Sequence, residues 1–274
     1  MKWVLNASRL GGWDFAAIAA LAKDAGYDAV ELGASADDSQ FTSANVLLSD
    51  LPKVRGIFDA AGVEIAALAS SMAIAPGRES FAEEIGVILD AARRLGAGIV
   101  RIQHRGAPRS GRVREVSNAQ LMAAADVAAE RKIRIVVDNA PEAASINQIW
   151  ELLERLGHPA IGCSLNLLNA TLAGQSPYQT VPMMNQKILY TEVADARLDG
   201  AGVKPCKLGE GNVPAQDFLT RLRGIGYGGC VALELRDDST AEEIARDGIL
   251  KSREWAQPTE PAVAGRRRSK KRAH

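Results

Sequence analysis

The chain has 274 residues, 47% of them hydrophobic, and a formal net charge of zero, which allows a sizeable core and suits one α/β barrel or two modest domains. The charge is uneven: Arg266, Arg267, Arg268, Lys270, Lys271 and Arg272 face only Glu260 beyond residue 256, so that end carries +5 and residues 1–256 carry −5 by difference. An acidic body argues against nucleic acid as the partner, and three widely spaced cysteines (Cys163, Cys206, Cys230) exclude a disulfide framework or a paired zinc motif.

In chain order, the first element is the apolar run Lys2–Asn6, read as a strand. A helical pattern near 14–25 follows, and Asp24-Ala-Gly-Tyr-Asp-Ala-Val-Glu-Leu32 shows the recurring unit: helix end, glycine, short apolar strand. The unit returns after a helix near 50–61 as Ala61-Gly-Val-Glu-Ile-Ala-Ala-Leu68. It returns again after a helix near 78–95 as Leu95-Gly-Ala-Gly-Ile-Val-Arg-Ile102. A helix near 118–131 leads into Arg131-Lys-Ile-Arg-Ile-Val-Val-Asp138, and one near 145–156 into Leu156-Gly-His-Pro-Ala-Ile-Gly-Cys-Ser-Leu165. Helix 175–187 precedes the strand Ile188–Val193, helix 214–224 precedes Ile225-Gly-Tyr-Gly-Gly-Cys-Val-Ala-Leu-Glu234, and a last helix covers 240–255. Ser49-Asp50, Ser117-Asn118 and Pro214 supply helix-start chemistry.

Eight strands alternating with eight helices predict a parallel sheet, and over about 250 residues they fit a single closed (β/α)₈ barrel spanning 1–256. An open doubly wound sheet is the alternative, but no Gly-x-Gly-x-x-Gly follows the first strand. Residues 257–274 are expected to form a disordered basic tail. Trp3-Val4-Leu5 is too short for the apolar part of a signal peptide, and no apolar run approaches the roughly 18–20 residues of a membrane span. A cytoplasmic protein with no membrane partner is expected.

A barrel of this kind builds its site at the C-terminal ends of its strands. The polar residues there are Asn6, Glu31, Ser70, Gln103, His104, Asp138, Asn166, Glu192, Glu234 and Arg236. Strands five to eight each end in an acid or amide, an oxygen-rich set suited to Mg²⁺ or Mn²⁺. The plainer alternative is a ring of mouth groups bonded to loops. The loop after the fourth strand carries Arg105, Arg109, Arg112 and Arg114, which could meet an anion but also read as solvated charge. His158, in the turn Gly157-His-Pro159, lies at the opposite barrel end and reads as structural.

Lys207-Leu-Gly-Glu-Gly-Asn-Val213, Phe218-Leu-Thr-Arg-Leu222 and Gly226–Glu234 together resemble the C-terminal signature of xylose-isomerase-like sugar phosphate isomerases and epimerases. Gly26-Tyr-Asp-Ala-Val-Glu-Leu32 resembles that family's second-strand motif. The resemblance implies a TIM barrel with one divalent metal held by Glu, Asp, His and Glu on strands five to eight. Here those positions hold Asp138 (beside Asn139), Asn166 (with Asn169 three residues on), Glu192 and Glu234, so only Glu234 is unchanged. Of the seventh-strand His-x-Lys-Asp motif only Asp195 remains.

The expected metal ligands are therefore Asp138, Asn166, Glu192 and Glu234, with Asp138 and Glu234 as the catalytic acid and base. Glu31, Gln103, His104, Asp195 and Arg236 are expected to contact substrate. Two versions stay open: an all-oxygen Mn²⁺ or Mg²⁺ site, or a metal-free site in which crowding raises at least one carboxyl pKa. The implied reaction is proton transfer between adjacent carbons of a sugar or sugar acid, with dehydratases and lyases among the relatives. The competing reading is a non-catalytic sugar- or partner-binding barrel that has lost its metal. The resemblance also hints at homo-oligomers. An abasic-site endonuclease of the same superfamily needs several histidine ligands, and this chain has only His104, His158 and His274.

Overall fold

The computed structural model describes residues 1–35, 44–74, 81–104, 111–139, 145–200, 202–235 and 240–257, with the backbone alone for 73, 74, 82, 104 and 111–117. Eight parallel strands close into a barrel: β1 (Lys2–Asn6), β2 (Ala29–Ala34), β3 (Glu64–Ile74), β4 (Ile99–His104), β5 (Arg134–Asp138), β6 (Ile161–Asn166), β7 (Ile188–Val193) and β10 (Cys230–Glu234), with β10 returning to β1. The crossovers hold α1 (Phe15–Ala25), α2 (Leu51–Ala61), α3 (Phe81–Leu95), α4 (Gly111–Glu130), α5 (Ile146–Leu156), α6 (Leu167–Leu172), α7 (Pro177–Met184) and α8 (Ala215–Gly224), and α9 (Ala241–Ala256) follows the last strand. The predicted single barrel is what forms. The basic tail beyond residue 257 lies outside the described residues.

Local chemistry sets the element ends. The Asp14 carboxylate accepts the Ala17 N–H to start α1, and Gly26 ends that helix at φ 88°, a left-handed conformation that side-chain-bearing residues rarely adopt. Asp50 caps α2 and Pro214 precedes α8 as predicted. Two expectations shift. Helix α4 begins at Gly111, so Ser117-Asn118 falls inside it. The connection after β7 is an antiparallel hairpin, β8 (Asp195–Asp199) and β9 (Gly202–Cys206), where no strand was predicted.

The core has two compartments. Between barrel and helices lie the large side chains, among them Phe58, Phe81 and Phe218, all fully buried; each such burial stabilises by about 1.5–3 kcal/mol. Inside the barrel, Val4, Ala29, Ala67, Val136, Tyr190 and Ala232 form a small apolar floor. Successive side chains of a strand alternate between faces, so the residues two positions beyond this floor point inward again. They are Ala69 and the polar residues Asn6, Glu31, Asp138, Glu192 and Glu234, and Ile99 beside the floor is followed in the same way by Arg101. The floor and its polar layer are thus one periodic pattern written across several strands.

Candidate functional site

Arg101 stands at the centre of the polar layer and is 6% exposed. Its Nε donates to Glu31 Oε1 at 2.7 Å and its Nη1 to Asp138 Oδ2 at 3.1 Å, while Nη2 lies 3.3 Å from Glu192 Oε1. One guanidinium therefore meets three carboxylates from β2, β5 and β7. Burial works against its charge, but Glu192, Glu31 and Asp138 outweigh that and hold its pKa well above the ordinary arginine value. From the floor below, the Tyr190 hydroxyl donates to Glu31 Oε2 at 3.0 Å.

Glu192 is clamped from two further strands. Asn6 Nδ2 donates to its Oε1 at 2.7 Å and Asn166 Nδ2 to its Oε2 at 3.0 Å. Asn166 Nδ2 also reaches Glu234 Oε2 at 3.4 Å, and the Arg9 Nε lies 3.5 Å from Glu234 Oε1. Asp138 differs from these. Its Oδ1 is buried with no hydrogen-bond partner among the described residues, a costly state for a carboxylate. Burial, opposed by Arg101 and reinforced by Glu234 and Glu31, pushes its carboxyl up to about 7. Glu192 is also raised, again by burial first, with Arg101 opposing and Asp138, Glu31 and Glu234 adding to the rise. Crowding was expected to raise at least one carboxyl; desolvation leads and repulsion assists.

The expected residues separate into three groups. Glu31, Asp138, Asn166, Glu192 and Glu234 converge in one layer. Gln103, one residue before the end of β4, is half-buried and in register with Asp138. Asp195, expected to contact substrate, has both oxygens engaged elsewhere. Its Oδ1 accepts the N–H groups of Ala196 (2.8 Å) and Val213 (3.2 Å), and its Oδ2 those of Gly209 (2.8 Å) and Gly211 (3.1 Å). The Lys207–Val213 motif is thus a backbone nest around a structural carboxylate. Gly211 is required there, because a Cβ would collide with Asp195 Oδ1 and the Ala196 carbonyl. The His104 side chain and Arg236 lie outside the described residues. His158 accepts the Ala160 N–H at 3.1 Å, in the structural role expected of it.

Arg101 is the residue that the sequence reading passed over. Arg101 stands three residues before the end of β4, away from the strand ends where such sites form. The available signal was its charge inside Ile99-Val-Arg-Ile102 together with the two-residue alternation.

The donor set does not fit the expected Mn²⁺ or Mg²⁺. Asn166 Oδ1 accepts the Asn169 N–H at 3.0 Å, so the amide is oriented with its NH₂ group, which cannot ligate a cation, toward Glu192 and Glu234. Among the described residues no group of three or more His, Cys, Asp or Glu side chains is disposed to hold a metal ion.

Comparison with known proteins bears on the fold. A curated 3-dehydroshikimate dehydratase of Pseudomonas putida is 26% identical over 112 residues, a stretch covering 37% of this chain and only 18% of that protein. Among solved structures, a D-allulose 3-epimerase from Methylomonas sp. in complex with D-allulose is 17% identical, with a TM-score of 0.75 and coverage of 93% of this chain and 96% of that one. The IOLI protein with a bound zinc atom is 16% identical, with a TM-score of 0.76 and coverage of 93% and 98%. At these identities the structural likeness shows the fold alone. No helix among the described residues is long and apolar enough to cross a membrane. The model of the xylose isomerase-like TIM barrel matches residues 19–255, and the chain belongs to that family.

Proposed function

We propose that this barrel is an enzyme that moves a proton between adjacent carbons of a small polyhydroxylated carbonyl compound, a sugar or sugar acid, with Asp138 and Glu234 as its acid–base pair. The observation that carries this reading is Asp138: buried at the C-terminal end of a barrel strand, one oxygen on Arg101, the other without a partner among the described residues, and a pKa near 7. A carboxyl group poised near neutrality can both take and give a proton at working pH.

In the proposed reaction the Asp138 carboxylate removes a proton from the carbon beside the carbonyl, and the electron pair moves onto the carbonyl oxygen. Three of Arg101's five N–H donors face the carboxylates of Glu31, Asp138 and Glu192, and the remaining two are suited to meeting the resulting enolate oxygen. Glu234, acting as the acid, then gives a proton to the former carbonyl carbon while the hydroxyl proton of the first carbon passes to the enolate oxygen, so that the carbonyl is left on the first carbon. Glu192, clamped by Asn6, Asn166 and Arg101, orients the arginine. The epimerase and dehydratase relatives are consistent with chemistry that begins at such a carbon.

Dehydration is the second reading, favoured by the sequence match to a 3-dehydroshikimate dehydratase. It shares the first proton abstraction and then expels hydroxide, which leaves as water with the proton from Glu234. The test is deuterium uptake from D₂O, followed by NMR, across ketoses, aldoses and 3-dehydroshikimate. Exchange lost by at least a hundredfold in Asp138→Asn and in Glu234→Gln supports the proposal. Exchange with a conjugated product that absorbs ultraviolet light selects dehydration. Saturable binding without exchange for any compound would make this a binding barrel and sink the catalytic reading.

A further inference from the structure

We infer that Arg101 is the resident cation of this barrel, its guanidinium taking the place of a divalent metal among Glu31, Asp138 and Glu192, so that the site is complete without one. Three independent features of the layer lead there.

The first is position. The three carboxylates come from β2, β5 and β7, far apart in sequence, and the group they share is a side chain of a fourth strand. A metal ion would need the carboxylate oxygens within about 2.0–2.6 Å of one point. Here they stand 2.7–3.3 Å from three different nitrogens of a planar group, a ring wider than a single ion spans.

The second is the donor set. The amide of Asn166 is locked by the Asn169 N–H so that its nitrogen, not its oxygen, faces Glu192 and Glu234. Asn6 also presents its nitrogen to Glu192. An amide that donates to a carboxylate belongs to a site organised by hydrogen bonds.

The third is charge. Glu31, Asp138 and Glu192 are all at least nine-tenths buried, and buried carboxylates demand a counter-ion. Arginine supplies one that is protonated at any accessible pH, with a planar fork matched to carboxylates. A guanidinium polarises a substrate oxygen by hydrogen bonds, but it offers no open coordination position and does not acidify a bound water as a metal does. Substrates whose reaction needs a developing oxyanion stabilised, and no activated water, are the ones this arrangement serves.

The inference concerns what the site holds rather than which reaction it performs, so a failed substrate screen leaves it standing. The test is Mn²⁺ titration of chelator-treated full-length protein, by calorimetry and by the electron paramagnetic resonance signal of free Mn²⁺. The wild-type chain is expected to show no saturable uptake, and a melting temperature unchanged by chelator or Mn²⁺. Arg101→Ala exposes the three carboxylates to one another and is expected to gain a Mn²⁺ site, with affinity raised at least tenfold over wild type and a melting temperature that climbs on Mn²⁺ addition. Stoichiometric Mn²⁺ in the wild type that is weakened by Glu192→Gln overturns the inference. So does a folded Arg101→Ala protein that gains no affinity. Where Arg101→Ala does not fold, the wild-type titration and its Glu192→Gln control decide the matter.

Discussion

Two buried carboxylates, about equally hidden from water, lead opposite lives in this molecule. Asp195 opens the hairpin β8–β9 and is ringed by four backbone N–H groups drawn from its own turn and from Gly209, Gly211 and Val213. Asp138 ends β5 and has one arginine on one oxygen and nothing on the other among the described residues. A satisfied carboxylate is mortar: its hydrogen bonds fix a loop. An under-satisfied one stores free energy that proton uptake or a ligand can release. Burial alone does not tell a working acid from a structural one; the count of donors does.

The sharpest way to test that contrast is to take away the charge that Asp138, Glu31 and Glu192 share. Without added metal, Arg101→Ala should cost about 3–5 kcal/mol, read as a lowered urea midpoint, because it leaves three buried carboxylates without their common counter-ion. Next comes Asp195→Ala, which strips the acceptor from four N–H groups and should cost about 3 kcal/mol, read as a lowered urea midpoint.

The change in pH dependence is the most diagnostic. The Asp138 carboxyl rises from an ordinary 3.8 to about 7 in the fold, so the folded chain holds a proton that the unfolded chain has released. Stability on that account is greatest below pH 4 and falls as pH rises toward 7. Asp138→Asn should flatten this part of the melting-temperature profile. A profile unchanged in Asp138→Asn would remove the distinction between the two carboxylates.

Much of this was legible in the sequence. The glycine-ended helices and short apolar strands foretold all eight barrel strands, and the layer's acids (Glu31, Asp138, Glu192, Glu234) were found because strand ends are where such sites form. Arg101 was not, since its role depends on the two-residue alternation carried across the barrel from Ile99. Asp195 and Asn166 were found for the wrong contacts. Which N–H groups surround a carboxylate, and which way an amide turns, are settled by backbone brought in from elsewhere: Gly209 and Gly211 for one, Asn169 for the other. The hairpin escaped because Pro205 lies within it and most of its residues are exposed or half-exposed, which erases the usual apolar signal of a strand.

The seam between β1 and β10, where Asn6 lies opposite Glu234, has a consequence for the chain as it is made. The first strand of the barrel to leave the ribosome waits for the barrel's last before its second edge is covered, so the barrel cannot seal until Cys230–Glu234 has emerged. Throughout that interval β1 carries an open edge, a hazard for pairing with a neighbouring nascent chain. The polar layer is completed by the same late event, because Glu234 arrives with the closing strand. Closure of the barrel and assembly of the site are one step.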